Sequence, residues 1–166
     1  SKDVFAVMAN ANMPQSMGSN LLIRDGAIPV IDYNDVFAWY KRLVEEYEIY
    51  PLKVGYDRYS ANYLVQQMSN YGFHMDDVFQ GFNLSPVIEE FGGWLKDKKV
   101  HIGDNDLLKI HMFNSALKIS TEKGRSKLIK IKPTAHIDGM AAVIDAMTVR
   151  QKWYGEIGEQ LKNERE

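Results

Sequence analysis

A chain of 166 residues with 45% hydrophobic residues, 12 Gly and 5 Pro is long enough to bury one core and has the composition of an ordinary globular domain. It contains no cysteine, which excludes a disulfide scaffold, a zinc ribbon and a thiol nucleophile and leaves any metal to oxygen or imidazole ligands. With 20 Lys+Arg against 22 Asp+Glu the formal charge is -2, so contact with a polyanion requires a local basic patch.

No apolar run approaches the roughly 20 residues needed to cross a bilayer, and Ser1-Lys2-Asp3 lacks the shape of a signal peptide. The expectation is a cytoplasmic protein without a membrane partner. The missing initiator Met suggests either a piece of a longer polypeptide or a scar left by cloning. Turn signals are spread evenly and no repeat is visible, so the chain reads as one domain over 1–152 with a polar helical tail over 153–166.

In chain order, Val4-Phe5-Ala6-Val7-Met8 suits a buried strand followed by a loop through Asn10, Asn12 and Pro14. Val36, Phe37, Tyr40, Leu43, Val44 and Tyr47 recur at helical spacing behind Asp32 to Asp35, whose short side chains cap the first turn, and Pro51 ends the helix. Leu52 to Asp57 predicts a strand, Ser60 a cap for a helix carrying Tyr63, Leu64, Gln67 and Met68, and Val78-Phe79-Gln80 a further strand. Ser85-Pro86 has the form of an N-cap with proline at the first helical position, opening a helix with Val87, Ile88, Phe91 and Leu95 that Gly92-Gly93 weakens. A short helix is expected from Asp106 to about Asn114.

The period then changes to two: Leu117 and Ile119, and Leu128, Ile129 and Ile131, flank a polar stretch containing Gly124, which predicts a β-hairpin. Ile137, Met140, Ala141, Ile144 and Met147 return to a helical face, continuing past Arg150. Strands alternating with helices, plus a hairpin, predict an α/β fold with a mixed sheet flanked by helices on both faces.

Several residues carry possible chemistry. Asp57 ends an apolar strand, where ligand crevices open in α/β sheets, although a turn and helix cap at that point has the same sequence. Asp138 opens the last helix, where a carboxylate gains from the positive helix end whether or not it binds a ligand. Asp145 lies two turns on, roughly 10 Å away, too far to share an ion with Asp138, and reads as solvated helix surface or a partner for Arg150. His136 is placed to donate to a phosphate or to adjust a metal-bound water, while His74, His101 and His111 show no ligand spacing. The hairpin holds Lys118, Lys123, Arg125, Lys127, Lys130 and Lys132 against Glu122 alone, which suits either phosphate binding without sequence readout or protection of a sheet edge. Tyr56, Tyr59, Tyr63 and Tyr71 read as core and groove-wall residues. The chain has no G-x-x-x-x-G-K-[ST], G-x-S-x-G, H-E-x-x-H or G-x-G-x-x-G, so P-loop, serine-hydrolase, zincin and dinucleotide readings lack their main support.

Taken in order, Ile31-Asp32-Tyr33 before a helix, Val54-Gly55-Tyr56-Asp57-Arg58-Tyr59, Gln80-Gly81-Phe82, Leu84-Ser85-Pro86, Asn114 before the hairpin and His136-Ile137-Asp138-Gly139-Met140-Ala141-Ala142 resemble the carboxy-terminal nuclease domain of tailed-bacteriophage terminase large subunits. The resemblance spans roughly residues 20 to 150. It implies a ribonuclease-H-like fold and a metal-dependent endonuclease that cuts double-stranded DNA during viral genome packaging in the host cytoplasm. It also implies two Mg²⁺ or Mn²⁺ ions roughly 3.5 to 4 Å apart. Asp57 and Asp138 match the family's acidic residues after the first helix and on the last one, so the resemblance makes them metal ligands, with His136 as a minor helper. Lys123, Arg125, Lys127 and Lys130 would then contact DNA. The ATPase domain, the small terminase subunit and the portal are the implied partners. The family's first metal ligand, on a strand that opens the domain, has no counterpart in the matched region; residues 4 to 8 read instead as a later antiparallel strand, and Asp25 and Asp32 suit turn and cap roles. Two other readings fit the residues: a noncatalytic docking or DNA-binding module of the packaging machine, and a related ribonuclease-H-like resolvase or transposase fragment.

Overall fold

Asp32 caps the first helix in a computed structural model of the chain, whose described residues are 5–7, 28–30, 32–58, 62–121 and 123–163. Its carboxylate accepts from Asn34 N at 2.7 Å and Asp35 N at 3.4 Å, while Asp35 Oδ2 accepts from Asp32 N at 3.1 Å. That reciprocal capping box starts α1 at Tyr33. The helix stops at Glu45, well before Pro51, because Arg42 O takes the amides of both Glu46 and Tyr47 and Glu48 turns to φ 55. Tyr47 therefore lies outside the helix that its spacing predicts.

The contacts divide the chain into two units, Ser1–Tyr50 with Tyr63–Tyr71, and Pro51–Asn62 with Gly72–Glu166. In the first, β1 (Phe5–Val7) pairs with β2 (Ile28–Val30) in parallel, which corrects the antiparallel reading of this segment. The long intervening stretch is what a parallel connection needs. α1 (Tyr33–Glu45) and α2 (Asn62–Tyr71) meet through an edge-on Phe37–Tyr71 contact with ring centroids 5.6 Å apart and through Tyr71 Oη donating to Glu45 Oε1 at 2.9 Å. Ser60 and Ile31 lie outside the described residues.

The second unit opens with β3 (Val54–Asp57) and β4 (Met75–Val78), a parallel pair in the register Val54↔Met75 to Asp57↔Val78. β4 thus ends before Phe79 and Gln80, which follow it as loop. A 3₁₀ turn over Phe82–Leu84 leads into α3 (Ser85–Lys96) with Pro86 in its first turn, and Gly92-Gly93 do not interrupt the helix. Ser85 does not act as the N-cap. Its buried Oγ accepts from Ser126 N at 2.9 Å and donates to Glu89 Oε1 at 2.8 Å, tying α3 to the hairpin.

Asn105 Oδ1 accepts from Leu108 N and caps α4 (Asp106–Phe113). β5 (Ser115–Ile119) and β6 (Ser126–Lys130) form the expected antiparallel hairpin, closed by Ser120 and Arg125 with Gly124 at φ 62, a conformation glycine adopts without strain. α5 runs unbroken over Asp138–Asn163. Its Met140, Ile144, Met147 and Val149 close on Val78, Leu84, Val87, Ile88 and Phe91 to make the core. Burial pushes the carboxyl of Asp76 up, but Lys152 and Trp153, which both donate to it, together with the charges of Lys152 and Lys53, hold it below the usual carboxylate value and pin β4 to α5. Among the described residues no helix is long and apolar enough to cross a membrane.

Candidate functional site

Gly55 sets the approach of α5 to β3. A β-carbon there would lie 2.8 Å from Val149 Cγ2 and 3.0 Å from the main-chain oxygen of Asp145, so the bare strand lets the helix lie against it. Two residues on, Asp57 interacts electrostatically with Asp145. β3 therefore advances toward the amino-terminal half of α5, and its carboxyl end, where α/β folds bind ligands, faces that helix.

Asp145 is only 8% exposed, and its Oδ1 accepts from Gln80 Nε2 at 2.7 Å. Burial, reinforced by the charge of Asp57, raises its pKa above the usual carboxylate value despite the hydrogen bond from Gln80. The expectation of a solvated Asp145, or of an Asp145–Arg150 pair, is corrected: the Arg150 guanidinium lies over Trp94 at 4.9 Å and Tyr154 at 4.6 Å.

Asp138 is the first residue of α5, and its side chain is exposed. His136 Nδ1 stands 3.7 Å from Asp138 Oδ2. His111, which its spacing gives no reason to single out, reaches the same place: its Nδ1 accepts from Gly139 N at 2.8 Å and occupies one of the amides left open at the helix start. Burial lowers the pKa of His111, with the charge of Asp138 opposing and that of His136 adding to the effect. The interactions thus bring Asp57 to Asp145, and Asp138 to His136 and His111. Among the described residues no group of three or more His, Asp or Glu is arranged to hold a metal ion.

Arg58 follows Asp57 and crosses to the neighbouring strand, donating from Nε to Asp77 Oδ2 at 2.7 Å and from a terminal nitrogen to the same oxygen. Its guanidinium also lies 5.9 Å from the Phe79 ring centroid. On the hairpin, Lys123, Arg125 and Lys130 are exposed, while Lys127 stands directly opposite Lys118 and 5.1 Å from the Phe82 ring. Like charges facing across a strand pair repel, an arrangement that a bound polyanion relieves.

Sequence reasoning placed Asp145 on the helix surface and gave Gln80 no role, whereas the two are joined in the fold. Their signal was an acid within the i, i+4 series Ala141, Asp145 and Val149, on the same helix as the apolar face, together with a glycine inside the strand it faces.

Residues 23–152 match the family described as terminase large subunit, endonuclease domain. No curated protein matches the chain. Among solved structures it is similar to the crystal structure of the HK97 bacteriophage large terminase, with 21% identity and a TM-score of 0.65 over 79% of this chain. The match spans 28% of that chain. At this identity the likeness establishes the fold alone, a mixed α/β arrangement shared with that terminase.

Proposed function

We propose, for a chain that belongs to the family of terminase large-subunit endonuclease domains, that it is a divalent-metal-dependent nuclease cutting double-stranded DNA during viral genome packaging. The observation that carries this reading is the packing of β3 on α5 at Gly55 and Asp145, which puts Asp57, two residues on and on the same strand face, within the electrostatic reach of a buried carboxylate of α5. Two neighbouring carboxylates repel, and a hard cation relieves that repulsion; oxygen donors in a chain without cysteine suit Mg²⁺ or Mn²⁺. In this reading Asp57 holds one ion and Asp138, with His136 3.7 Å away, holds the other, since Asp138 and Asp145 stand about two turns apart on α5. Two such ions, when bound, supply an activated water and neutralise charge on the leaving oxygen.

The chain's own residues do the rest. Gln80 fixes the carboxylate of Asp145 next to Asp57, and His111 holds the first turn of α5 through Gly139. Lys123, Arg125, Lys127 and Lys130 grip phosphates without reading sequence. The packaging ATPase domain, the small subunit and the portal are the partners this role implies.

Plasmid nicking in Mn²⁺ tests the proposal: the parent cuts, and Asp57→Ala and Asp138→Ala lose most of the activity while keeping the parental melting temperature. Equal cutting by both variants refutes the ligand assignment. A second reading is a noncatalytic DNA-binding module, supported by the like-charged Lys118 and Lys127 facing each other across the hairpin. It predicts duplex binding with no nicking at any Mn²⁺ concentration.

A further inference from the structure

We propose that the open edge of β5 is a docking site for an extended segment of a partner protein in which apolar residues alternate with Asp or Glu, and that the segment binds by adding a third strand to the hairpin. This holds whether or not the chain cuts DNA.

The ladder decides which backbone groups are free. At the two ends of the hairpin, Ser120 N donates to Arg125 O at 2.7 Å and Ile131 N to Asn114 O at 2.9 Å. Hydrogen-bonded and non-hydrogen-bonded positions alternate along an antiparallel pair, so Ala116↔Ile129 and Lys118↔Lys127 take the bonds between those ends. The amides and carbonyls of Leu117 and Ile119 therefore point away from β6, and among the described residues β5 pairs with no other strand. Such an edge is a template for another strand.

The side chains select what that strand carries. Leu117 and Ile119 share one face of the hairpin. Their partners across the ladder are covered: Leu128 packs against the core, and Ser126 is buried against Ser85. Leu117 and Ile119 themselves are 52% and 66% exposed, so the apolar face runs past the core onto β5 without a cover. Lys118, between them, is exposed on the other face, with Lys127 directly opposite. A strand added beside β5 continues this alternation. Its apolar residues lie next to Leu117 and Ile119, and the residue between them lies next to Lys118, where a carboxylate is favoured. A second copy of this chain is disfavoured by the same charge, because antiparallel pairing of two β5 edges about Lys118 sets ammonium against ammonium. Protection of the edge accounts for Lys118 but not for the exposed apolar residues on either side of it.

The test titrates the full chain into labelled peptides and reads fluorescence anisotropy. The probes are a short peptide of alternating valine and glutamate, the same peptide with lysine for glutamate, and the glutamate peptide N-methylated on alternate amides. The glutamate peptide is expected to bind saturably and to weaken as salt rises, and the other two to bind far more weakly. Ile119→Pro deletes an outward amide and leaves the ladder to β6 in place. It is expected to bind the glutamate peptide about three- to tenfold more weakly at an unchanged melting temperature. Lys118→Glu is expected to exchange the preference between the glutamate and lysine peptides. Equal affinity for the N-methylated peptide overturns the proposal, since charge without strand pairing then suffices, and that result stands even where Ile119→Pro fails to fold. So does a parent that binds none of the peptides, a parent that self-associates until Ile119→Pro separates the copies, or a DNA duplex whose binding is what Ile119→Pro abolishes.

Discussion

Gln80 and Asp145, 65 residues apart in sequence, are joined by a 2.7 Å hydrogen bond that holds a buried carboxylate beside Asp57. Burial and that neighbouring charge make ionised Asp145 costly, so its folded pKa lies above the unfolded one. Stability from this group is present below the unfolded value of 3.8 and is lost as pH rises through the folded value. Asp145→Asn keeps an oxygen for Gln80 and removes the charge. In metal-free buffer at neutral pH this variant is expected to melt higher than the parent, as differential scanning calorimetry would show. A lower melting temperature would mean that the charge is needed by the fold itself.

Gly55 has no room for a side chain. A methyl group there meets Val149 Cγ2 at 2.8 Å and, less forgivingly, the main-chain oxygen of Asp145 at 3.0 Å. Gly55→Ala is expected to destabilise by about 1–3 kcal/mol, the usual cost of overpacking, and to separate Asp57 from Asp145. Urea unfolding measures the first effect and nicking activity the second. Parental values of both would show that α5 does not bear on β3 in the way described.

The imidazole of His111 accepts the Gly139 amide only while Nδ1 is unprotonated. Its folded pKa is lowered by burial, so as pH falls the unfolded chain takes the proton first. The contribution is fully present above about 6.5 and is lost as pH falls through the folded value. Between pH 7.5 and 5 the melting temperature of the parent is therefore expected to drop further than that of His111→Gln. Parallel pH profiles for the two proteins would remove His111 from the account.

On the hairpin, neutralising Lys123, Arg125 and Lys127 together is expected to weaken duplex binding for every sequence alike and to flatten the salt dependence by about 2 to 3 units of slope. An unchanged slope leaves the lysines as protection for the open strand edge.

Local features were legible in the sequence because they depend on near neighbours. The cap at Asp32, the hairpin with Gly124 and the helix opening at Asp138 each follow from a few adjacent residues. The family resemblance placed the chain in the right fold class for the same reason, since its motifs are short and ordered. What the sequence concealed depends on packing over long separations. Ser85 has the spacing of a helix cap, yet the hairpin amide of Ser126, 41 residues away, takes its hydroxyl. Asp145 has the polarity of a surface residue, and only the approach of α5 to Gly55 buries it. His111 has no ligand spacing and still reaches the start of α5, because α4 packs there.

The central claim is that Asp57 and an α5 carboxylate together hold a divalent cation, and thermal unfolding across a Mn²⁺ titration tests it most directly. Binding to the folded form alone stabilises by about 2.7 kcal/mol at one hundred times Kd. The parent is therefore expected to melt progressively higher as Mn²⁺ rises, and Asp57→Asn to show almost no shift. An identical shift in both proteins, or none in the parent, would contradict the account.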